Sequence, residues 1–334
     1  MTLALKEQTQ APMERLAAAL ADDLSAVDSM LTTHMNSSTQ LIPQVAAHLV
    51  KAGGKRVRPV LTLAAARLCG YEGDHHIRLA AAVEFIHTAT LLHDDVVDGS
   101  ALRRGKPAAN TVFGNKPSIL VGDFLFSRAF QLMVETGSLT VLDILSSTSA
   151  IISEGEVMQL ATANNLATTE DEHLAVIRAK TAALFSAATE VGGVLAGVSA
   201  EQQKALHTYG DRLGIAFQLA DDALDYAGKA GTIGKDAGDD FREGKVTQPI
   251  LRAFAAADDD ERAFWTRTIE KRNQEDGDFE HAMALLEKHG AISGALDDAR
   301  RYGNEAREAI QTFPQSALRD DLDDLVAYVV DRDH

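Results

Sequence analysis

The sequence predicts an all-α protein, and three observations carry that reading. No proline falls between Pro117 and Pro249. That interval is filled with alanine- and leucine-rich segments, good helix formers, and shows little of the β-branched alternation a strand surface requires. Elsewhere the punctuation is that of helix starts and stops. Residues 41–52 read as a helix stopped by Gly53 and Gly54, Pro59 suits the first position of the next, and Gly70 its C-terminal cap. Asp74 can cap a helix running through LAAAVEFIHTATLLHDD, apolar on nearly all sides and therefore central. Gly99 ends it, and Gly105, Pro107, Gly114 and Pro117 mark the following stretch as a loop. Thr169 with Glu172, and Ser199 with Gln202, have capping-box spacing and open two more long helices. After Tyr226 the string AGKAGTIGKDAGDDFREGK carries too many glycines for a stable helix and predicts a mobile segment. Beyond Ala255 the chain is more charged, as peripheral helices would be.

The 334 residues carry 32 basic and 49 acidic side chains, a formal net charge of −17. That balance argues against a nucleic-acid-coating surface, so any basic cluster must be local. The single cysteine, Cys69, excludes an intrachain disulfide, fits a reducing compartment and reads as a small apolar residue rather than a nucleophile. Near Lys6 and Glu7 there is no continuous apolar run of the secretory kind, and the longest charge-free run, Ser29 to Val50, is too polar to span a bilayer. A cytoplasmic protein is expected. No linker divides the chain, so residues 36–334 are expected to form one helical domain after an unassigned segment, 1–35.

The stretch LLHDDVVDG, Leu91 to Gly99, opens like a core helix and closes in three carboxylates. Three such groups repel one another and need cations. The pattern recurs in QLADDALDY, so Asp94, Asp95 and Asp98 correspond to Asp221, Asp222 and Asp225. Within each set the first and last carboxylates are four apart and share a helix face; Gln218 joins the second stripe. Oxygen-only ligands without local His or Cys favour magnesium over zinc, and a magnesium site of few carboxylates completes its shell with phosphate and water. One such motif alone is more often a solvated helix end; two inside apolar helices are not. An EF-hand fails, because Val96 and Gly105 would occupy ligand positions. Against the acidic background, KAGGKRVRP and ALRRGKP place basic residues in glycine-marked connections, where guanidinium and ammonium groups can reach phosphate oxygens.

These residues resemble the trans-type isoprenyl diphosphate synthases, and among them the long-chain polyprenyl (octaprenyl and decaprenyl) diphosphate synthases. The matching landmarks are GGKRVRP, EFIHTATLLHDDVVDGSALRRGKPAAN, VGDFLF, the pair Lys180 and Thr181, FQLADDALD and GTIGKDAGDDFREGKVTQP. The resemblance implies a single all-helical domain around a deep apolar cavity, a homodimer, and elongation of an allylic diphosphate by isopentenyl diphosphate. It implies magnesium held chiefly by Asp94, Asp98 and Asp221, with Asp95, Asp222 and Asp225 completing or orienting that shell. Arg103, Lys180, Lys235 and Lys245 would grip the allylic diphosphate, with Thr181 and Gln218 beside it. Lys55, Arg58, His87 and Arg104 would hold isopentenyl diphosphate. The product would be a quinone side-chain precursor of octaprenyl to decaprenyl length, decaprenyl favoured, with room for transient membrane contact on release.

The growing tail should run back along the central helix past Thr90 and Ala89, then Ile86, Val83 and Ala82, about 16 Å from Asp94 to Val83. Relatives making short products commonly carry a bulky aromatic where Ala89 stands, so Ala89 points to a long product. Phe126, Phe130 and Met133 are candidates for the floor, or ordinary core. A shorter-chain geranylgeranyl or farnesyl synthase, a terpene cyclase, an HD-type phosphohydrolase built on His93 and Asp94, and a non-catalytic subunit of a heteromeric synthase are the rival readings.

Overall fold

The computed structural model describes residues 11–51, 54, 56–227 and 238–331. Lys55, Lys235 and the glycine-rich residues 228–237 lie outside them. The fold is all-α; among the described residues the only strands are a two-residue pair. No described helix is long and apolar enough to cross a membrane. The chain forms two compact units, one from residues 1–149, 184–210 and 309–325, the other from 150–183, 211–308 and 326–334.

In the first unit, α1 (Pro12–Ala19), α2 (Ala21–Met35) and α3 (Leu41–Lys51) precede α4 (Val57–Leu68) and the long α5 (His75–Val97). Helix α5 buries twelve side chains, among them Leu79 to Val83, Ile86, Ala89 and Leu92, so the all-round apolar pattern does mark an interior helix. Asp74 precedes it without capping it; its carboxylate accepts instead from Arg78, at 2.7 Å. Pro59 lies two residues inside α4, because Arg56 adopts a left-handed conformation (φ 48°) and the helix starts at Val57. The expected loop after Gly99 holds a hairpin, β1 (Leu102–Arg103) with β2 (Lys106–Pro107), then α6 (Ala109–Phe113), and Pro117 falls in the first turn of α7 (Asn115–Glu135). Helix α8 (Leu139–Thr162) follows, its residues up to 149 counted in this unit and those from 150 in the second.

Close helix approach in this unit depends on absent side chains. A Cβ on Gly192 of α10 (Ala183–Ala196) would lie 2.7 Å from the Ala66 backbone nitrogen of α4. Tyr209 of α11 (Ala200–Ala227) is fully buried and donates to the Leu322 carbonyl of α17 (Ala317–Val330) at 2.8 Å.

In the second unit, α9 (Glu170–Ile177) starts with the expected capping box of Thr169 and Glu172. It runs into a π-helical turn, Arg178–Ala182, in which the Ala183 N–H donates to the Arg178 carbonyl. Ser199 and Gln202, which belong to the first unit, exchange the reciprocal bonds expected at the start of α11. Residues 239–242, expected to be too glycine-rich for helix, form the single turn α12 (Asp239–Arg242), entered through Gly238 at φ 85°. The tail is helical: α13 (Gln248–Ala256), α14 (Asp259–Trp265), α15 (Asp278–Lys288) and α16 (Ala291–Ile310). Trp265, Phe241 and Phe264 centre its core.

Candidate active site

The first aspartate set ends α5. Asp98 is the C-cap and is exposed, Asp94 is half-buried, and Asp95 is fully buried, because residues one apart on a helix point about 100° apart. The cation that Asp95 demands is Arg103, whose Nε donates to Asp95 Oδ1 at 2.7 Å. Burial pushes the Asp95 carboxyl above its usual range against the pull of this guanidinium. The hairpin aims Arg103: the turn residues Arg104 and Gly105 both have positive φ, 52° and 72°, the geometry of a tight type I′ connection. Asn110 fixes its base, donating to the carbonyls of Asp95 (2.9 Å) and Ser100 (3.0 Å). The Arg104 guanidinium lies against Gly54, where a Cβ would come within 2.5 Å of it.

Arg58 and His87 meet: Arg58 Nη1 and His87 Nε2 are 3.1 Å apart. A guanidinium only donates, so His87 Nε2 must accept, and the ring is neutral with its proton on Nδ1. Burial and the nearby Arg58, Arg104 and Arg103 charges hold its pKa well below the usual 6.5. Arg58 also stacks over Phe185, 4.5 Å from the ring centroid, and burial lowers its pKa to about 10, still charged at neutral pH. The sequence reading missed Glu84, whose carboxyl is raised by burial and pulled down by Arg58, Arg56 and Arg104. Its signal was available, since a lone Glu in a helix apolar on all sides needs a buried cation.

Along the expected tail path, Ala89, Ile86, Val83 and Ala82 are fully buried, and Thr90 donates to the His87 carbonyl at 2.8 Å. Of the floor candidates, Met133 is buried and Phe126 stacks on His93 with centroids 6.1 Å apart. Phe130 is 40% exposed, so it is not packed core within this chain.

The second aspartate set lies on α11. Asp221 is exposed, Asp222 buried and Asp225 half-buried. A relay reaches Asp222 from the π-helical turn: Thr181 Oγ1 donates to Gln218 Oε1 (3.1 Å), and Gln218 Nε2 to Asp222 Oδ1 (2.9 Å). His173 Nε2 stands 3.5 Å from the other oxygen of Asp222. Lys180 Nζ donates to Glu156 Oε2 at 2.7 Å. The Asp240 backbone N–H donates to Asp225 Oδ2 at 3.0 Å, and Lys245 Nζ to Asp240 Oδ1 at 3.1 Å. Burial lifts Asp240 to about 7 despite Lys245, helped by the charges of Asp222 and Asp225. Glu156, His173 and Asp240 were not singled out from sequence; each is distant in the chain from, or differently spaced than, the motif it serves.

The carboxylates present hard oxygen donors and suit a hard divalent cation completed by phosphate and water. Among the described residues no group of three or more His, Cys, Asp and Glu side chains forms a self-sufficient metal cage. Among the ion pairs beside the two sets are Arg103 with Asp95 (2.7 Å) in the first unit, and Lys180 with Glu156 (2.7 Å) and Lys245 with Asp240 (3.1 Å) in the second.

A model of the polyprenyl synthetase family matches residues 39–286, and the chain belongs to that family of prenyltransferases. It is 42% identical to the octaprenyl diphosphate synthase of Escherichia coli K12 over 321 residues, covering 96% of this chain and 99% of that protein. Its fold is similar to the crystal structure of a decaprenyl diphosphate synthase from Rhodobacter capsulatus, with TM-score 0.93 and 58% identity over 96% of this chain and 99% of the other. It is equally similar, at TM-score 0.93 and 51% identity over 96% and 98% of the two chains, to a polyprenyl synthase from Caulobacter crescentus CB15 complexed with calcium and isoprenyl diphosphate.

Proposed function

We propose that this chain condenses isopentenyl diphosphate onto an allylic diphosphate, repeatedly, to a product of octaprenyl to decaprenyl length, decaprenyl favoured. The observation that carries the reading is the pair of aspartate triplets at identical offsets, Asp94/Asp95/Asp98 and Asp221/Asp222/Asp225, in a member of the polyprenyl synthetase family. The 58% identity to a decaprenyl diphosphate synthase supports the long product, as does the small side chain of Ala89 behind the first triplet.

The all-oxygen donor set supports magnesium, held by Asp94, Asp98 and Asp221; when bound it supplies charge neutralisation for the departing diphosphate. The chain's own cations do the gripping. Arg103, Lys180, Lys235 and Lys245 take the allylic diphosphate, with Thr181 and Gln218 beside it. Lys55, Arg58 and Arg104 take isopentenyl diphosphate, and neutral His87 holds Arg58 by accepting its N–H. The allylic C–O bond breaks with its electron pair leaving on pyrophosphate. The double bond of isopentenyl diphosphate supplies the pair for the new C–C bond, and loss of a proton restores an alkene; pyrophosphate itself is the base. Asp95 and Asp222 act through position, the one fixing Arg103 and the other Gln218.

A homodimer is supported by apolar side chains left exposed in the first unit, Leu120 at 67% and Val134 at 62%. The lone cysteine supports a cytoplasmic setting. The test is incubation of purified protein with isopentenyl diphosphate, a short allylic diphosphate and magnesium, followed by sizing of the products. Absence of any elongated product would overturn the reading; farnesyl or geranylgeranyl products alone would overturn its long-chain part.

A further inference from the structure

We infer that Glu156 is the positioning residue for Lys180, fixing the ammonium where an allylic diphosphate is received; the inference rests on the function proposed above. Glu156 lies on α8 and Lys180 in the π-helical turn, both within the second unit. Their contact is 2.7 Å, and both side chains are largely shielded, at 22% and 23% exposure. Such a pair is not the freely solvated surface pair whose worth is small.

Three further features single it out. The backbone of α8 comes against the turn at Gly155, where a Cβ would lie 2.8 Å from Ala179 Cβ and 3.0 Å from the Lys180 nitrogen. Only glycine permits that approach, and the neighbouring Glu156 is thereby delivered to Lys180. The turn itself is π-helical, an insertion that sacrifices regular hydrogen bonding and gathers at functional sites. Finally, Glu156 Oε1 is buried without a hydrogen-bond partner. The carboxylate is thus aimed by its contact with Lys180 and is not shared among bonds that hold the fold.

The chemistry gives this arrangement a purpose. A lysine ammonium is a point charge on four rotatable bonds, so without a partner its position is spread over many rotamers. Nζ donates one of its three protons to Glu156 Oε2, and that contact sets the direction in which the ammonium is presented. The next residue, Thr181, is tied through Gln218 to Asp222, so the turn presents its ammonium in fixed register with the second aspartate set. Removing Glu156 should loosen the grip on the allylic diphosphate alone.

The experiment compares the parent with Glu156→Ala, Glu156→Gln, Lys180→Ala and the double variant Glu156→Ala/Lys180→Ala. Steady-state rates are measured with magnesium, varying farnesyl diphosphate and isopentenyl diphosphate in turn. Glu156→Ala should raise KM for the allylic substrate about tenfold, the scale of one charge-assisted hydrogen bond, with KM for isopentenyl diphosphate unchanged. Glu156→Gln, which keeps an acceptor, should recover most of that loss. In the Lys180→Ala background, Glu156→Ala should add nothing. A parent that elongates nothing would remove the proposed function and the inference with it. With an active parent, an unchanged allylic KM, equal weakening for both substrates, or a full effect of Glu156→Ala without Lys180 would overturn the inference alone. So would unfolding of both single Glu156 variants, since Glu156 would then be holding the fold.

Discussion

A carboxylate closing a buried helix must be neutralised or wetted, and the end of α5 does both: Asp95 turns inward to Arg103 while Asp98 faces water. Asp94 and Asp221 are each less buried than the next residue of their set, Asp95 and Asp222, and are the carboxylates proposed to hold the cation. Replacing Asp94 or Asp221 by Ala should therefore lower kcat by about 100-fold or more, the usual loss on removing one electrostatic stabiliser. Unchanged far-UV circular dichroism with collapsed turnover would show that the loss is chemical; full turnover would contradict the assignment. His87 yields a pH prediction. Burial keeps its folded pKa well below 6.5, so below about pH 6.5 the unfolded chain binds a proton that the folded chain refuses. Stability is then complete above that pH and falls as pH drops towards the folded value. His87→Gln removes this contribution, and its urea midpoint should fall less than the parent's between about pH 7 and pH 5. The aspartates were legible in sequence because their spacing repeats. Glu84 left a signal as a lone carboxylate in an apolar helix, but its cation and the tautomer of His87 were not legible, since both depend on Arg58, a residue on a different helix.

Among elements, what could be read locally was read well. The capping boxes at Thr169 and Ser199 depend on residues three apart, and the burial of α5 on a single run of apolar side chains. The hairpin at 102–107 was missed because its turn is Arg-Gly rather than the usual Asn-Gly or Asp-Gly. The π-helical turn was missed because no composition signals one inserted residue. Helix α5 also carries the chain-length prediction. Ala89 is fully buried five residues before Asp94, about 140° round the helix. Ala89→Phe puts a ring where the tail should descend, and overpacking there costs about 1–3 kcal/mol. Consumption of isopentenyl diphosphate should continue with products shortened to roughly three or four isoprene units, by the helix rise. Chromatography of the dephosphorylated alcohols reads this directly, and an unshortened product from a folded variant would place the tail elsewhere.

For the whole molecule, the all-α class was legible, whereas the two compact units were not, because each draws on three separated stretches of chain and no linker announces them. A surface of net charge −17 should disperse a monomer well, which makes the exposed Leu120 and Val134 on α7 conspicuous. Leu120→Glu with Val134→Glu should shift the sedimentation coefficient towards the monomer; a parent already sedimenting as a monomer would remove the dimer. A different consequence follows from the backbone at Arg104, held at φ 52° beside Gly105. A side chain bearing a Cβ endures that conformation at a penalty of about 1 kcal/mol, and glycine does not. A library selected for heat tolerance alone should therefore enrich Arg104→Gly, and its survivors would be sturdier proteins with a poorer appetite for isopentenyl diphosphate. Breeding this scaffold for industrial temperatures would need activity in the selection from the first round.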